Sequence, residues 1–200
     1  ISRCILPEIL INRCIFFVMW VKYPEIGYFD QVIKRYPNLF DQDLVIEVKR
    51  DGENVSVWKD NEVHISSRSQ INASPDIVER MKQTTGFRKV LPLLRDGLIV
   101  YGELMKLRSP TGIERPRKRF QWYVFDIWDR DHFIPVDQLS DIWDEYDLPH
   151  VRVLAVDHFT PDELQKATAE WLKWCKRRHY EGIVIKTYDE KVMWKAKIKL

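Results

Sequence analysis

Apolar residues fill every second position from Leu44 to Val48, so residues 44–49 read as a β-strand. Glu47 and Lys49 fall on one face of it, and Leu44, Ile46 and Val48 on the other. Asp51-Gly52 is a turn signal expected to reverse the chain into a second strand over 54–58, and 62–66 forms a third. Before this hairpin, Ile26, Phe29, Val32 and Ile33 recur at helical spacing and predict a helix within 24–36, stopped by Pro37. After it, Ser74-Pro75-Asp76 opens a helix expected to run to about Thr84 and stop at Gly86. A turn at Arg95-Asp96-Gly97 leads into a strand over 98–104; 108–119, with two prolines and four arginines, reads as an exposed loop, and 120–128 is an aromatic-rich strand. Residues 136–146 suit a short helix and 151–159 another strand. Thr160-Pro161-Asp162-Glu163 is a capping box, and Leu164, Ala167, Trp171, Leu172 and Cys175 form the buried stripe of the helix it starts. A strand opening at Glu181 and a last one over 193–200 complete the series, the latter with Lys195, Lys197 and Lys199 on one face. Strands joined by turns, with helices between them, fit an α+β domain of antiparallel β-sheets flanked by helices.

Composition narrows the function less than the pattern does. Two hundred residues suit one domain, and 32 basic against 30 acidic residues leave a net charge of only +2. Local clusters matter more: Arg115 to Arg119, Lys176 to Arg178, and Lys191, Lys195, Lys197 and Lys199. The middle cluster also has a structural reading, because basic residues complement the C-terminal end of a helix. Cys4, Cys14 and Cys175 show no paired spacing and the five histidines are scattered, so neither a zinc site nor a disulfide framework follows. An intracellular, reducing compartment is the expectation. The apolar run 15–21 is seven residues long, far short of the roughly 20 that a membrane helix needs. Residues 1–22 are read as an N-terminal extension, with Met19 a candidate start, and 23–200 as the domain.

Taken singly, the chemistry-bearing residues are ordinary. A charged strand face, a carboxylate at a strand end and an edge lysine stripe all occur on solvated surfaces. Their order carries more. Lys49-x-Asp51-Gly52-x-Asn54 is followed by Ser67-Arg68-Ser69, Gly102-Glu103, Phe125-Asp126, Glu181-Gly182-Ile183-Val184 and a Lys-x-Lys strand. This series resembles the motifs of the covalent nucleotidyltransferases: ATP-dependent DNA ligases, RNA ligases and mRNA capping enzymes. The resemblance spans Tyr23 to the C-terminus and implies an ATP-grasp-like adenylation domain.

The resemblance implies that Lys49 is the nucleophile that attacks the α-phosphate of ATP and becomes lysyl-AMP. A lysine amine in water is protonated at neutral pH, so such a nucleophile needs nearby positive charge or desolvation to shed its proton. Lys195, Lys197 and Lys199 would supply charge and grip the phosphate; both Lys195-Ala196-Lys197 and Lys197-Ile198-Lys199 fit the motif. Glu47 would read the adenine amino group, Phe125 would stack on the base, Glu103 would bind the ribose and Arg68 a phosphate or ribose. Glu181, with Asp51 and Glu103, is the implied set for Mg²⁺ (or Mn²⁺). By strand alternation Lys186 points away from Glu181, and its role stays open. Asn54 stands where many RNA ligases carry asparagine and DNA ligases and capping enzymes carry arginine. The chain also ends within the last motif, without the oligonucleotide-binding barrel of those two groups. An ATP-dependent RNA ligase acting on nucleic-acid ends is therefore the expected function, with a partner or missing segment helping to hold RNA. The alternatives are a DNA ligase core and a non-catalytic nucleotide- or RNA-binding module of the same fold.

Overall fold

A computed structural model describes residues 20–35, 37–187 and 195–199. The chain forms two five-stranded sheets that line opposite sides of a cleft. The first has the order β1 (Gly27–Tyr28), β10 (Lys195–Lys199), β9 (Gly182–Thr187), β2 (Leu44–Lys49) and β8 (Val153–Asp157). The second has the order β4 (Val63–Ser67), β3 (Glu53–Lys59), β5 (Leu98–Met105), β6 (Gln121–Asp129) and β7 (His132–Phe133). β1 runs parallel to β10, and the other strand pairs are antiparallel. This is the α+β class that the pattern predicts.

Each sheet buries one face under helices. Leu44, Ile46, Ile183 and Ile185 of the first pack with residues of α1 (Phe29–Arg35) and α5 (Pro161–Arg178). On the second, Val55, Val100, Leu104 and Trp122 pack with α2 (Pro75–Lys82), α3 (Thr85–Val90) and α4 (Val136–Glu145). Each fully buried large apolar side chain contributes about 1.5–3 kcal/mol, so these faces hold the sheets and leave the cleft side free for polar work. At Thr160 the expected capping box forms in both directions. Segment 149–152 stitches the sheets together: Val124 N donates to Pro149 O at 2.8 Å, Val151 N to Val124 O at 2.9 Å and Val48 N to Arg152 O at 2.9 Å.

Three local expectations need correction. β2 and β3 are not a hairpin. β2 pairs with β8 and β9, β3 pairs with β4 and β5, and Arg50-Asp51-Gly52 crosses from one sheet to the other. The first five residues of β2 are all buried, as in a central strand flanked on both sides. The helix from Pro75 stops at Lys82, and Thr84 caps a second one by accepting from Phe87 N at 3.1 Å. Gly86 lies inside that second helix, where a Cβ would meet Trp122 O at 2.7 Å, so close packing accounts for it and not helix termination. The stretch 108–119 is the exposed loop that its sequence predicts, apart from Glu114, which it folds back to bury. Finally, Trp20 and Val21, counted in the extension, pack on the aromatic cluster of Tyr23, Tyr101 and Phe125. Trp20 Nε1 donates to Ser56 Oγ at 3.2 Å and Tyr101 Oη to Val21 O at 2.6 Å. Residues 1–19, Tyr36, 188–194 and Leu200 lie outside the described residues, and with them Cys4, Cys14, Met19 and Lys191.

Candidate active site

The cleft holds a cavity of about 440 Å³ with walls from both sheets. Register sets its first wall. Lys49 of β2, Gly182 of β9 and Lys199 of β10 form one cross-strand row. Glu47, Val184 and Lys197 form the next. Side chains in a row share a face, so Glu47, Lys49, Val184, Lys197 and Lys199 all line the cavity. Lys197-Ile198-Lys199 is thus the pair in the wall. Lys195 begins β10, but its side chain lies outside the described set.

Glu181 stands between the two outer lysines. One carboxylate oxygen contacts Lys49 Nζ and the other Lys199 Nζ. Gly182 makes this possible, since a Cβ there would lie 2.0 Å from Ile198 O, and its φ of +154° turns the chain at the first residue of β9. Glu181 therefore escapes the alternation of the strand, and the argument that set Lys186 on the opposite side from it fails. The cations here crowd one another. Burial holds the Lys197 amine below its ordinary range, and repulsion from Lys199, Lys49 and Arg68 acts in the same direction. Lys199 is held above that range by its hydrogen bond to Glu181.

The far end of the cavity is a buried polar network. Lys186 Nζ lies 2.6 Å from Glu47 Oε1, 2.9 Å from Asp126 Oδ1 and 3.1 Å from Phe125 O. The Tyr23 hydroxyl donates to the other oxygen of Asp126. Burial lifts Glu47 to about 7 and Asp126 to about 6, against the pull of Lys186. Phe125 and Val184 add apolar wall beside this network. Sequence reasoning quoted Asp126 within its motif without a role, and left Lys186 open. The one available signal was a lysine in an otherwise apolar strand, which in a buried setting demands a carboxylate partner.

The second sheet supplies the remaining wall. Asn54 and Glu103 are opposed on β3 and β5 and both line the cavity, as does Arg68, whose Nη2 is 3.9 Å from Glu25 Oε1. Glu103 accepts from Gly52 N at 2.9 Å. Burial raises it to about 7; Lys49 opposes this, while Glu181 and Asp51 reinforce it. Asp51, expected at a metal, is engaged elsewhere. Its Oδ2 accepts from Thr111 N at 2.9 Å, from Thr111 Oγ1 at 2.7 Å and from Ser109 Oγ. Burial would raise its carboxyl, but these hydrogen bonds outweigh it and hold the group below its ordinary range. Asp51 thus ties the 108–119 loop to the residues after Lys49. Arg50, also without a role in the sequence reading, pairs with Glu114 at 3.2 Å and lies 4.4 Å from the Tyr123 ring centroid and 5.0 Å from that of Tyr180.

Among the described residues, no group of three or more His, Cys, Asp or Glu is close enough to bind a metal directly, and no helix is long and apolar enough to cross a membrane. The carboxylates nearest Lys49 fit a hard cation held through water: Glu103 and Glu181 repel each other, and a divalent ion would relieve that repulsion.

Comparison with known proteins bears on the fold and the family. An uncharacterised protein of Methanocaldococcus jannaschii is 27% identical over 173 residues, covering 80% of this chain and 42% of its own length. An archaeal ATP-dependent RNA ligase superposes with a TM-score of 0.69 at 19% identity, over 88% of this chain and 48% of the other. A Naegleria gruberi RNA ligase variant with AMP and Mn gives 0.66 at 21%, over 88% and 56%. An Aquifex aeolicus protein described as a candidate ATP-dependent DNA ligase gives 0.69 at 23%, over 90% and 50%. The chain spans about half the length of these proteins. These likenesses establish the ligase adenylation-domain fold. The family model for RNA ligases matches residues 42–199, from the turn before β2 to the last lysine of β10, and on that match the chain belongs to the RNA ligase family.

Proposed function

We propose that the chain is the adenylyl-transfer core of an ATP-dependent RNA ligase and that Lys49 carries the AMP. The observation that carries this reading is the charge layout of one cavity: Lys49, Lys199 and Glu181 in contact at one end, with Phe125, Val184 and Glu47 at the other. A nucleotide would sit with its base against Phe125 and Val184, where Glu47 can accept from the adenine amino group. Lys186 supports Glu47 from within, as a positioning residue. Glu103 and Asn54 face the ribose, and Arg68, Lys197 and Lys199 the phosphates.

In the first step the Lys49 amine attacks the α-phosphorus. A P–N bond forms, the P–O bond to the β-phosphate breaks, pyrophosphate leaves and the amine proton passes to water. The cations offset the charge that develops on the phosphate oxygens, and the register of β2, β9 and β10 fixes the approach of the nucleophile. Glu103 and Glu181 would hold Mg²⁺ or Mn²⁺ through water, and the ion would add to that charge neutralisation. In the next step an RNA 5′-phosphate takes the AMP from Lys49, and attack by a 3′-hydroxyl then closes the phosphodiester and releases AMP. The sequence basis for RNA over DNA is Asn54, which lies in the cavity wall.

The test is incubation with α-labelled ATP and Mg²⁺ followed by denaturing electrophoresis. The expected result is a covalent label lost in Lys49→Ala and absent with labelled GTP. Labelled protein should then be discharged by 5′-phosphorylated RNA. A chain that retains nucleotide only without a covalent bond is a binding module, and one discharged faster by DNA nicks than by RNA ends is a DNA ligase core.

A further inference from the structure

A line of rings and guanidinium groups leads away from Lys49 on the side opposite the buried network. Arg50 follows the nucleophile directly and lies between the rings of Tyr123 and Tyr180, at 4.4 and 5.0 Å from their centroids. Tyr180 stacks on Trp174 of α5 at 5.5 Å between centroids and 27° between planes. Two further guanidiniums cover Trp174, Arg152 at 5.2 Å and Arg178 at 5.7 Å. Beside them, Arg115 Nη2 hydrogen-bonds His179 Nε2 at 3.2 Å. The backbone ties this line to the reaction centre, because Glu181 N donates to Lys49 O at 3.2 Å and Val48 N to Arg152 O at 2.9 Å.

The inner and outer members differ in charge balance. Arg50 is mostly buried and, like Arg117, spends its charge on Glu114. Arg115, Arg152 and Arg178 are exposed. Held against an aromatic ring, a guanidinium keeps its planar fork of donors turned outward, in a geometry suited to phosphate. Half-buried rings interleaved with arginines are also what a single strand of nucleic acid needs, since bases stack on the rings while the backbone follows the charges.

We infer that the row from Arg50 to Arg178 seats the 5′-phosphorylated end of the RNA that receives AMP from Lys49. This inference rests on the proposed function for the identity of the strand. Among the described residues Arg152 and Arg178 have no acidic partner, so both guanidiniums stay available for phosphate while Trp174 holds them in place. The three basic residues Lys176 to Arg178 thus include one, Arg178, that does more than complement the helix.

The test is fluorescence anisotropy with a labelled, 5′-phosphorylated single-stranded RNA and the full chain, over a salt series. Self-adenylylation is measured on the same preparations. The double variant Arg152→Glu/Arg178→Glu should bind at least about tenfold more weakly, with a dependence on log salt shallower by about 1.4, as expected for two lost phosphate contacts. Trp174→Ala should weaken binding about fivefold or more through lost stacking. Arg88→Glu, an exposed residue of α3 on the outer face of the second sheet, should bind as the unaltered chain does. The double variant alters only exposed side chains, so it decides the matter if Trp174→Ala does not fold. Unchanged affinity and salt slope in the double variant overturn the inference, as does an unaltered chain that binds no RNA or an Arg88→Glu variant that loses as much. Absence of self-adenylylation in every preparation would count against the proposed function, separately from the binding result.

Discussion

At the deep end of the cleft Lys186 is 1% exposed and bridges Glu47 and Asp126, which are 4% and 0% exposed. At the other end Lys49 and Lys199 are 17% and 40% exposed, and they share one carboxylate, Glu181. Strands β2 and β9 run through both. The deep end has two acids to one cation, fixed out of water by partners on three strands. The outer end gathers Lys49, Arg68, Lys197 and Lys199 about Glu181, with Glu103 facing Lys49 from the other sheet, and these cations are close enough to repel one another. A buried network of the first kind holds one geometry and suits a neutral ring with polar edges. Crowded, half-wet cations suit a mobile anion and the charge that develops on it during transfer. One cavity thereby reads a base and reacts at a phosphate.

Four substitutions test that division, beginning with the largest effect. Lys186→Met leaves two carboxylates buried without their cation and should cost about 3–5 kcal/mol. For a chain of this size that lowers the melting temperature by roughly 10 °C. A melting temperature within a degree of the unaltered chain would mean that the deep end is not a fixed network. Glu181→Gln weakens the grip that positions Lys49 and Lys199, and should slow covalent labelling about 100-fold while changing the melting temperature little. An equal loss in stability would reduce Glu181 to a structural role.

Most of the candidate residues picked by motif order line one cavity, because strand register is strongly specified where one face is buried. What remained hidden depended on contacts between distant segments. Asp-Gly after Lys49 has the chemistry of a hairpin turn, yet here it carries the chain between sheets, with the Asp51 and Gly52 amides taken up by Glu114 and Glu103. Strand alternation separated Lys186 from Glu181 and was right within β9; it failed at Glu181, one residue before the strand, because Gly182 turns the chain there. Arg50 gave no local signal, since its partners Glu114, Tyr123 and Tyr180 lie more than sixty residues away.

Two smaller effects sharpen the comparison. Asp51→Asn weakens the charge-assisted anchor of the 108–119 loop and should cost about 1–2 kcal/mol, with faster proteolytic cleavage in that loop. Unchanged cleavage would show that the loop is held by Glu114 alone. Glu47→Gln should flatten the pH profile of stability. Glu47 is raised from 4.5 unfolded to about 7 folded, so the native state binds more protons between those values and stability falls as pH rises through that window. The variant should lose that slope, at most about 1.4 kcal/mol per pH unit. Parallel melting profiles for the two proteins between pH 5 and 7 would contradict the assignment.

The most direct measurement is peptide mapping by mass spectrometry after incubation with ATP and Mg²⁺. The expected result is a single acid-labile AMP adduct on the peptide that contains Lys49, discharged on adding pyrophosphate. An adduct on Lys197 or Lys199 instead, or no adduct while nucleotide still binds, would contradict the division of the cleft into a base-reading end and a reacting end.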